Sequence, residues 1–278
     1  MRDLIKLALR EDLGSGDITT KCLVPEGLKV EAVIIAKEKG TIAGLETARE
    51  VFRHLDPRIN FSLLKKDGSR AKKGDMVARI KGPARAILSG ERLALNFLQR
   101  LSGVATMAAR FAAAVKGTGA KVLDTRKTTP LWRDLEKKAV KAGGCFNHRI
   151  GLFDAVLIKD NHLCVENDIS RAVKKAKRCG RVEIEVKNLS ELKKAAASGA
   201  GARGDGGEGL GRLDDGRVGP VGGRCEVAHE VGGVRRRPVL QGHELGAAHE
   251  TGQRLQRRRA HGDRAGGAAT LDVDDRDH

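Results

Sequence analysis

Residues 121–130, KVLDTRKTTP, are apolar as far as Asp124 and then present Thr125, Arg126, Lys127 and Thr128 ahead of a proline. Two adjacent cations among hydroxyls, at the end of a segment with the pattern of a buried strand, are the side chains that a polyanionic ligand requires. The same grammar recurs downstream. The run DAVLIKD ends in Lys159 and Asp160 with Asn161 and His162 behind it, and VEIEV ends at Glu185 and Val186 with Lys187 following. Between the first two runs, GGCFNHRIGLFD contributes His148 and Arg149. Several cations beside two carboxylates form the inventory for a polyanionic substrate with a bridging divalent metal. Taken singly, a cation after a strand is usually a solvated loop residue, and a histidine such as His148 usually makes a structural hydrogen bond. Convergence on one rim is what turns them into a site. Glu183 and Glu185 are expected to differ in facing, so that one carboxylate points inward and needs a partner.

That rim exists only if the three runs are parallel strands of one sheet. KVLD has the pattern of a strand, LWRDLEKKAVKAGG of a helix closed by glycines, DAVLIKD of a strand and DISRAVKKAKRCG of a helix with a glycine stop. RVEIEV follows as a strand, and LSELKKAAASGA as a helix with a serine cap and a glutamate in its first turn. Such alternation implies right-handed βαβ crossovers and a parallel sheet, either a barrel or an open doubly wound sheet. In both, the ligand site lies at the carboxyl ends of the strands. The preceding region, to about residue 105, has a different pattern. A short amphipathic helix in LIKLALRED is followed by β-like segments in KVEAVIIAKEKGTIAGLE, INFSLLKK and DMVARIKGPARAIL, which predicts a small α+β unit with helices packed on an open sheet. From Ser89 onward, apolar residues at three- and four-residue intervals predict a long helix, or a helix pair broken near its internal Ser-Gly, that links the two units.

Composition narrows the class of partner. The formal net charge of +17 lies entirely in residues 1–200, where 23 Lys and 17 Arg face 23 acidic residues, whereas residues 201–278 balance 13 Arg with 13 acids. There is no Tyr, one Trp and six Phe, so the stacking platforms of single-strand binders are scarce and nucleic acid is not an expected partner. No run approaches 18 uninterrupted apolar residues, and the opening MRDLIKLALREDLG is too charged for a signal peptide, which points to a cytoplasmic protein with no membrane partner. The five cysteines are scattered without a C-x-x-C pair and suggest neither zinc nor a disulfide framework.

Five stretches in order, REDLGSGDITT, GERLALNFLQRLSGVAT, LDTRKTTP, GGCFNHRIGLFDAVLIKDNH and VEIEV, make residues 1 to about 201 resemble the nicotinate-nucleotide pyrophosphorylase (quinolinate phosphoribosyltransferase) family of NAD biosynthesis. The resemblance implies an α/β fold of the type II phosphoribosyltransferase kind, with an N-terminal α/β sandwich domain and an incomplete α/β barrel. It implies a homodimer with shared active sites, and a reaction of quinolinate with 5-phosphoribosyl 1-pyrophosphate and Mg2+ that releases pyrophosphate and carbon dioxide and leaves nicotinate mononucleotide. By position it assigns Arg126, His148, Arg149 and Lys159 to the quinolinate pocket, with Arg92 reaching in from the partner subunit. Lys127 would meet the phosphoribosyl substrate, and Glu185, with Asp160 acting through water, would lie in the metal region; Lys159, Glu185 and Lys127 are the catalytic candidates. The chemistry agrees, because planar guanidinium forks bind the two adjacent carboxylates of quinolinate in a way a lysine cannot. Pyrophosphate leaves a ribosyl carbon whose transition state is cation-like, which a nearby carboxylate and a metal on the leaving group would stabilise. Once the ring nitrogen is alkylated, the pyridinium itself accepts the electrons of decarboxylation, so no further cofactor is needed.

Three regions follow: 1–105 as the sandwich and linker helix, 106–200 as the first part of the barrel, and 201–278 as an aberrant, disordered Gly/Arg-rich tail that truncates the barrel after its first strands. The tail holds 18 Gly and 13 Arg but no Lys, Ile, Phe, Asn, Met or Ser, and none of the phosphate-loop motifs the family has there. GC-rich DNA read in the wrong frame from about codon 201 has this composition. Two functions therefore stand, the phosphoribosyl transfer itself and an inactive remnant or quinolinate-binding protein without turnover. Limited trypsin digestion of the full chain is expected to cut rapidly between Arg203 and Arg276 and slowly before Gly201. A tail as resistant as the first 200 residues would make it a genuine domain.

Overall fold

A computed structural model describes residues 1–204 and 269–271 of the chain. The N-terminal part opens with α1 (Arg2–Leu13), which buries Ile5 and Leu9 four residues apart on one face. The short α2 (Ile18–Leu23) is capped by Asp17, whose carboxylate accepts from the Thr20 amide at 2.9 Å. Strands β1 (Lys29–Ile35), β3 (Asn60–Leu63) and β5 (Met76–Pro83) pair antiparallel in the order β3-β5-β1, while β2 (Gly40–Thr41) and β4 (Arg70–Ala71) form a separate two-stranded ladder. Helix α3 (Leu45–Leu55) was not legible in the sequence, where its first residues closed a β-like run. Its cap is not local: Asp67, from a loop 22 residues away, accepts the Gly44 and Leu45 amides at 3.0 and 3.1 Å. Gly44 takes φ +98°, and a Cβ there would stand 2.7 Å from Leu101.

Helix α4 (Ala84–Ala114) is one unbroken 31-residue element that begins five residues before the expected Ser89. Pro83 forms its N-cap, and the buried stripe of Ala84, Ile87, Gly90 and Ala94 continues through a start whose sequence has the pattern of a strand. The internal Ser102-Gly103 is not a break. Ser102 Oγ accepts from the Ala43 amide at 3.0 Å, and one turn on Thr106 Oγ1 accepts from the Thr41 amide at 2.8 Å, so the small polar residues dock α4 onto the loop and strand before α3. Phe52, Ile80, Leu95, Phe97 and Leu101 fill the core between α3, α4 and the sheet.

Beyond α4 come α5 (Arg133–Ala142), β6 (Val156–Ile158), α6 (Asp160–Val165), α7 (Ile169–Ala176) with a 3-10 turn over Lys177–Cys179, β7 (Val182–Val186), α8 (Leu189–Ala197) and β8 (Gly201–Gly204). Strands β6, β7 and β8 are parallel and adjacent, as the alternation required. Val182, Ile184 and Val186 of β7 bury against Ile169, Ala172 and Val173 of α7 and Leu192 and Ala195 of α8, forming a second core. The cap of α8 is Asn188, accepting from the Glu191 amide at 2.9 Å, rather than the expected serine. KVLD is not a ladder strand; Leu123 makes a single parallel bridge to Phe146. Helix α5 belongs to the first core, through Leu135 and Ala139, and not to the second. Its end reaches α4 so closely that a Cβ on Gly143 would stand 2.4 Å from the Ala105 carbonyl oxygen.

Two short strands fall within the segment expected to be a disordered tail. Gly201–Gly204 extends the parallel sheet as β8, and Ala269–Leu271 forms β9, parallel to β1 at the edge of the first sheet. Backbone pairing on an open strand edge makes few demands on side chains, so composition did not reveal either strand. The rest of the expected tail lies outside the described residues.

Candidate active site

The loop of residues 124–129 and the stretch 146–150 lie side by side. The Asp124 amide donates to the Phe146 carbonyl at 3.0 Å, and the Phe146 amide to Val122 at 2.9 Å. Beneath them, Lys137 of α5 forms a buried ion pair with Asp124, with 3% and 5% of the two side chains exposed. Asp124 Oδ1 also accepts from the His148 amide at 2.8 Å, and Lys137 Nζ donates to the His148 carbonyl at 3.2 Å. With its amide group turned to satisfy both contacts, Asn147 donates to Asp124 Oδ2 and to the Lys137 carbonyl, each at 3.0 Å. At the far end of the loop, buried Glu136 accepts from the Thr129 amide at 3.2 Å and from Thr129 Oγ1 at 2.8 Å, while Arg100 of α4 donates to Thr129 at 3.2 Å. Arg126 and Arg149 are thereby carried on adjacent, anchored backbone. Arg149 is 8% exposed and donates through Nη1 to Ala155 at 3.1 Å. The Nε of each arginine is buried and has no hydrogen-bond partner among the described residues. A buried donor left unmade costs about 1–3 kcal/mol, and more when charged; the Nε atoms of Arg49 and Arg79, away from these loops, are buried in the same way.

Two side-chain contacts reach β7, one near its amino end and one near its carboxyl end. His148 Nε2 lies 2.8 Å from Glu183 Oε2, and Lys159 Nζ donates to Glu185 Oε1 at 2.7 Å. The expectation that Glu183 and Glu185 differ in facing is incorrect. Residues two apart on a strand share a face, so both carboxylates lie opposite the buried Val182, Ile184 and Val186. Asp160, Glu185, Lys187 and Glu191 line a cleft of about 510 Å³ together with Leu163, Cys164 and Asn167. Asn161 and His162 do something simpler. His162 Nδ1 accepts from the Lys159 amide at 2.9 Å and closes the start of α6, and Asn161 donates its amide to Asp160 at 2.8 Å.

Lys159, Asp160 and Glu185 lie together at the carboxyl ends of β6 and β7, whereas His148 and Arg149 meet the same sheet nearer its amino end, at Glu183 and Ala155, and Arg126 and exposed Lys127 stand on the first loop; Arg92 does not join them within this chain. It is exposed on α4 and makes no ion pair among the described residues. Sequence reasoning missed Lys137, Glu136, Asn147 and Asp154. Lys137 and Glu136 sit in a charged helix whose pattern gave no sign that two of its ionic side chains are buried. No group of three or more His, Cys, Asp or Glu side chains able to hold a metal occurs among the described residues. Asp160 and Glu185 on one cleft nonetheless suit Mg2+, which is commonly held by one or two carboxylates plus substrate phosphates.

Comparison with known proteins fixes the family. The model for the quinolinate phosphoribosyl transferase N-terminal domain matches residues 17–102, and that for the C-terminal domain matches residues 104–202. The chain belongs to the quinolinate phosphoribosyl transferase family. It is 43% identical over 204 residues to a probable nicotinate-nucleotide pyrophosphorylase (carboxylating) of Bacillus subtilis, covering 72% of this chain and 70% of that one. It is also 43% identical over 201 residues to the chloroplastic nicotinate-nucleotide pyrophosphorylase (carboxylating) of Oryza sativa, covering 69% and 54% of the two chains. The NadC structure from Streptococcus pyogenes superposes with a TM-score of 0.69 at 41% identity, covering 71% of this chain and 72% of that one. The nicotinate-nucleotide pyrophosphorylase structure from Francisella tularensis gives 0.67 at 41% identity, with 72% and 71% covered. These neighbours share the α/β architecture. The family match stops at residue 202, where the composition changes.

Asp154 closes the loop that follows Arg149, accepting from the Ile150 amide at 2.8 Å and the Gly151 amide at 2.9 Å. Those two backbone donors hold its carboxyl below the ordinary aspartate range. A depressed native pKa stabilises the loop fully above the unfolded-state value and loses that contribution only as the pH falls through the native one. A carbon-13 titration of the Asp154 carboxyl should give a midpoint below that of aspartate in the unfolded chain; an equal or higher midpoint would contradict the loop closure.

Proposed function

We propose that this chain transfers the phosphoribosyl group of 5-phosphoribosyl 1-pyrophosphate to quinolinate, with loss of pyrophosphate and carbon dioxide, to give nicotinate mononucleotide. The observation that carries this reading is the pair of buried, unpartnered guanidinium Nε groups of Arg126 and Arg149 on two joined loops. Two planar forks held together fit two adjacent carboxylates. In this reading His148, oriented by Glu183, and Lys159, held by Glu185, complete the quinolinate pocket. The pocket fixes the ring so that its nitrogen faces the ribosyl carbon, and its buried walls keep water from that carbon. Lys127, on the exposed side of the same loop, meets the phosphates. Asp160 and Glu185 would hold Mg2+, which when bound neutralises charge on the leaving pyrophosphate. The Glu185 carboxylate would also lie near the positive charge that develops on the ribose.

We further propose a homodimer in which Arg92, exposed on α4, completes the partner's pocket, and a cytoplasmic location. Among the described residues no helix is long and apolar enough to cross a membrane. Nucleic acid has no place in this reading. A second reading is favoured by the end of the family match at residue 202, short of the family's phosphate-binding loops: a protein that binds quinolinate without turning it over. Incubation with quinolinate, phosphoribosyl pyrophosphate and Mg2+, following the quinolinate absorbance, separates the two.

Calorimetric titration with quinolinate should show Arg126→Ala and Arg149→Ala each losing on the order of 2–5 kcal/mol of binding, because a desolvated carboxylate loses its charged partner, with Lys rescuing poorly. Parent-like binding by either alanine variant would remove that arginine from the pocket. For the dimer, Arg92→Ala and Arg149→Ala proteins, both restored to the family's reading frame after residue 201, should regain activity when mixed and allowed to exchange subunits. A mixture no more active than its components would rule out a shared site.

A further inference from the structure

Helix α5 carries two cations four residues apart, Arg133 and Lys137, which therefore lie one above the other on one side of the helix. Each of them touches both substrate loops. Lys137 Nζ pairs with Asp124 and donates to the His148 carbonyl at 3.2 Å. Arg133 Nε donates to Thr128 Oγ1 at 3.1 Å, and its Nη1 donates to the Ile150 carbonyl at 3.2 Å. The lower rung thus joins residues 124 and 148, and the upper rung joins residues 128 and 150. Arg126 sits midway between the anchors of the first loop, and Arg149 midway between those of the second.

The loops need such an external fixture. Among the described residues their direct backbone link is a single bridge at Leu123 and Phe146; beyond it the middle of the first loop makes local contacts such as the Lys127 amide on Thr125 Oγ1 at 3.1 Å, and its far end is tied through Thr129 to Glu136 of the same helix and to Arg100 of α4. Two carboxylates on neighbouring ring atoms have a fixed separation, so the arginines that grip them must keep a fixed separation too. We propose that Arg133 and Lys137 are positioning residues that set the spacing between Arg126 and Arg149, and through that spacing the preference of the pocket for an ortho-dicarboxylate over a monocarboxylate. Neither residue needs to touch the substrate. This inference rests on the quinolinate reading given above.

Because that role concerns spacing, its signature is selectivity rather than overall affinity. The probes are quinolinate and nicotinate, which keeps one carboxylate and so requires one fork at a time. Two variants of the full chain serve. Arg133→Met removes a half-buried side chain whose partners can turn to water. Asp124→Asn/Lys137→Met removes both charges of the buried pair together, so that no lone buried charge remains. In each, quinolinate affinity should fall at least tenfold while nicotinate affinity stays within about twofold of the parent, at an unfolding midpoint close to that of the parent for Arg133→Met. Equal losses for both ligands, or unchanged quinolinate binding in Arg133→Met, would overturn the positioning role while leaving the functional reading intact. A parent chain that binds no quinolinate would overturn that reading, and this inference with it.

Discussion

The buried pair of Asp124 and Lys137 is the constraint around which the site is arranged. Two charges withdrawn from water are tolerated when geometry is good and the remaining donors and acceptors are satisfied. Here Asp124 takes hydrogen bonds from the His148 amide and the Asn147 side chain, and Lys137 gives a second one to the His148 carbonyl. Removing one partner of such a pair costs roughly 3–5 kcal/mol, because the other is left charged in the interior. The main chain at His148 is thus held at both its N–H and its C=O. Arg149 follows immediately, and Arg126 lies two residues beyond Asp124, so one interaction sits at the root of both candidate clamps.

That pair in turn depends on where α5 lies. Leu135 and Ala139 place the apolar side of the helix in the core of the N-terminal unit, beside α4, while Lys137 and Arg133 address the loops of the other. Gly143 permits the close contact with α4, and Phe97 of α4 stacks on Trp132 at 4.6 Å between centroids, just before α5 begins. Arg100 adds a polar tie from α4 to Thr129 and Glu136. The site therefore lies at the joint between two cores.

Much of the second unit was legible because its signals are local. Runs rich in Val and Ile, punctuated by glycine, placed β6 and β7 together with α7 and α8, whereas α6, directly after β6, gave no sign in the sequence. The misses share a cause. Helix α3 is capped by Asp67 from another loop, α4 docks near its start against Phe52 and Leu55, and KVLD finds a single bridging partner, Phe146, from another loop. The pairing of Glu183 with His148 and of Glu185 with Lys159 joins residues 35 and 26 apart in sequence, a distance at which no periodicity speaks.

By itself the sequence determined the inventory of side chains, with arginines, lysines and carboxylates standing after strand-like runs, and the alternation of strand and helix around them. It determined these because residue type and short-range period are properties of the chain. Tertiary structure alone decided which charges are buried. Lys137 and Lys138 are neighbours of the same type on one helix, yet the first is sealed against Asp124 and the second is exposed beside Asp134. Burial is a property of what packs from elsewhere, and it is burial that turns an ion pair worth little in water into one that fixes the spacing of a site.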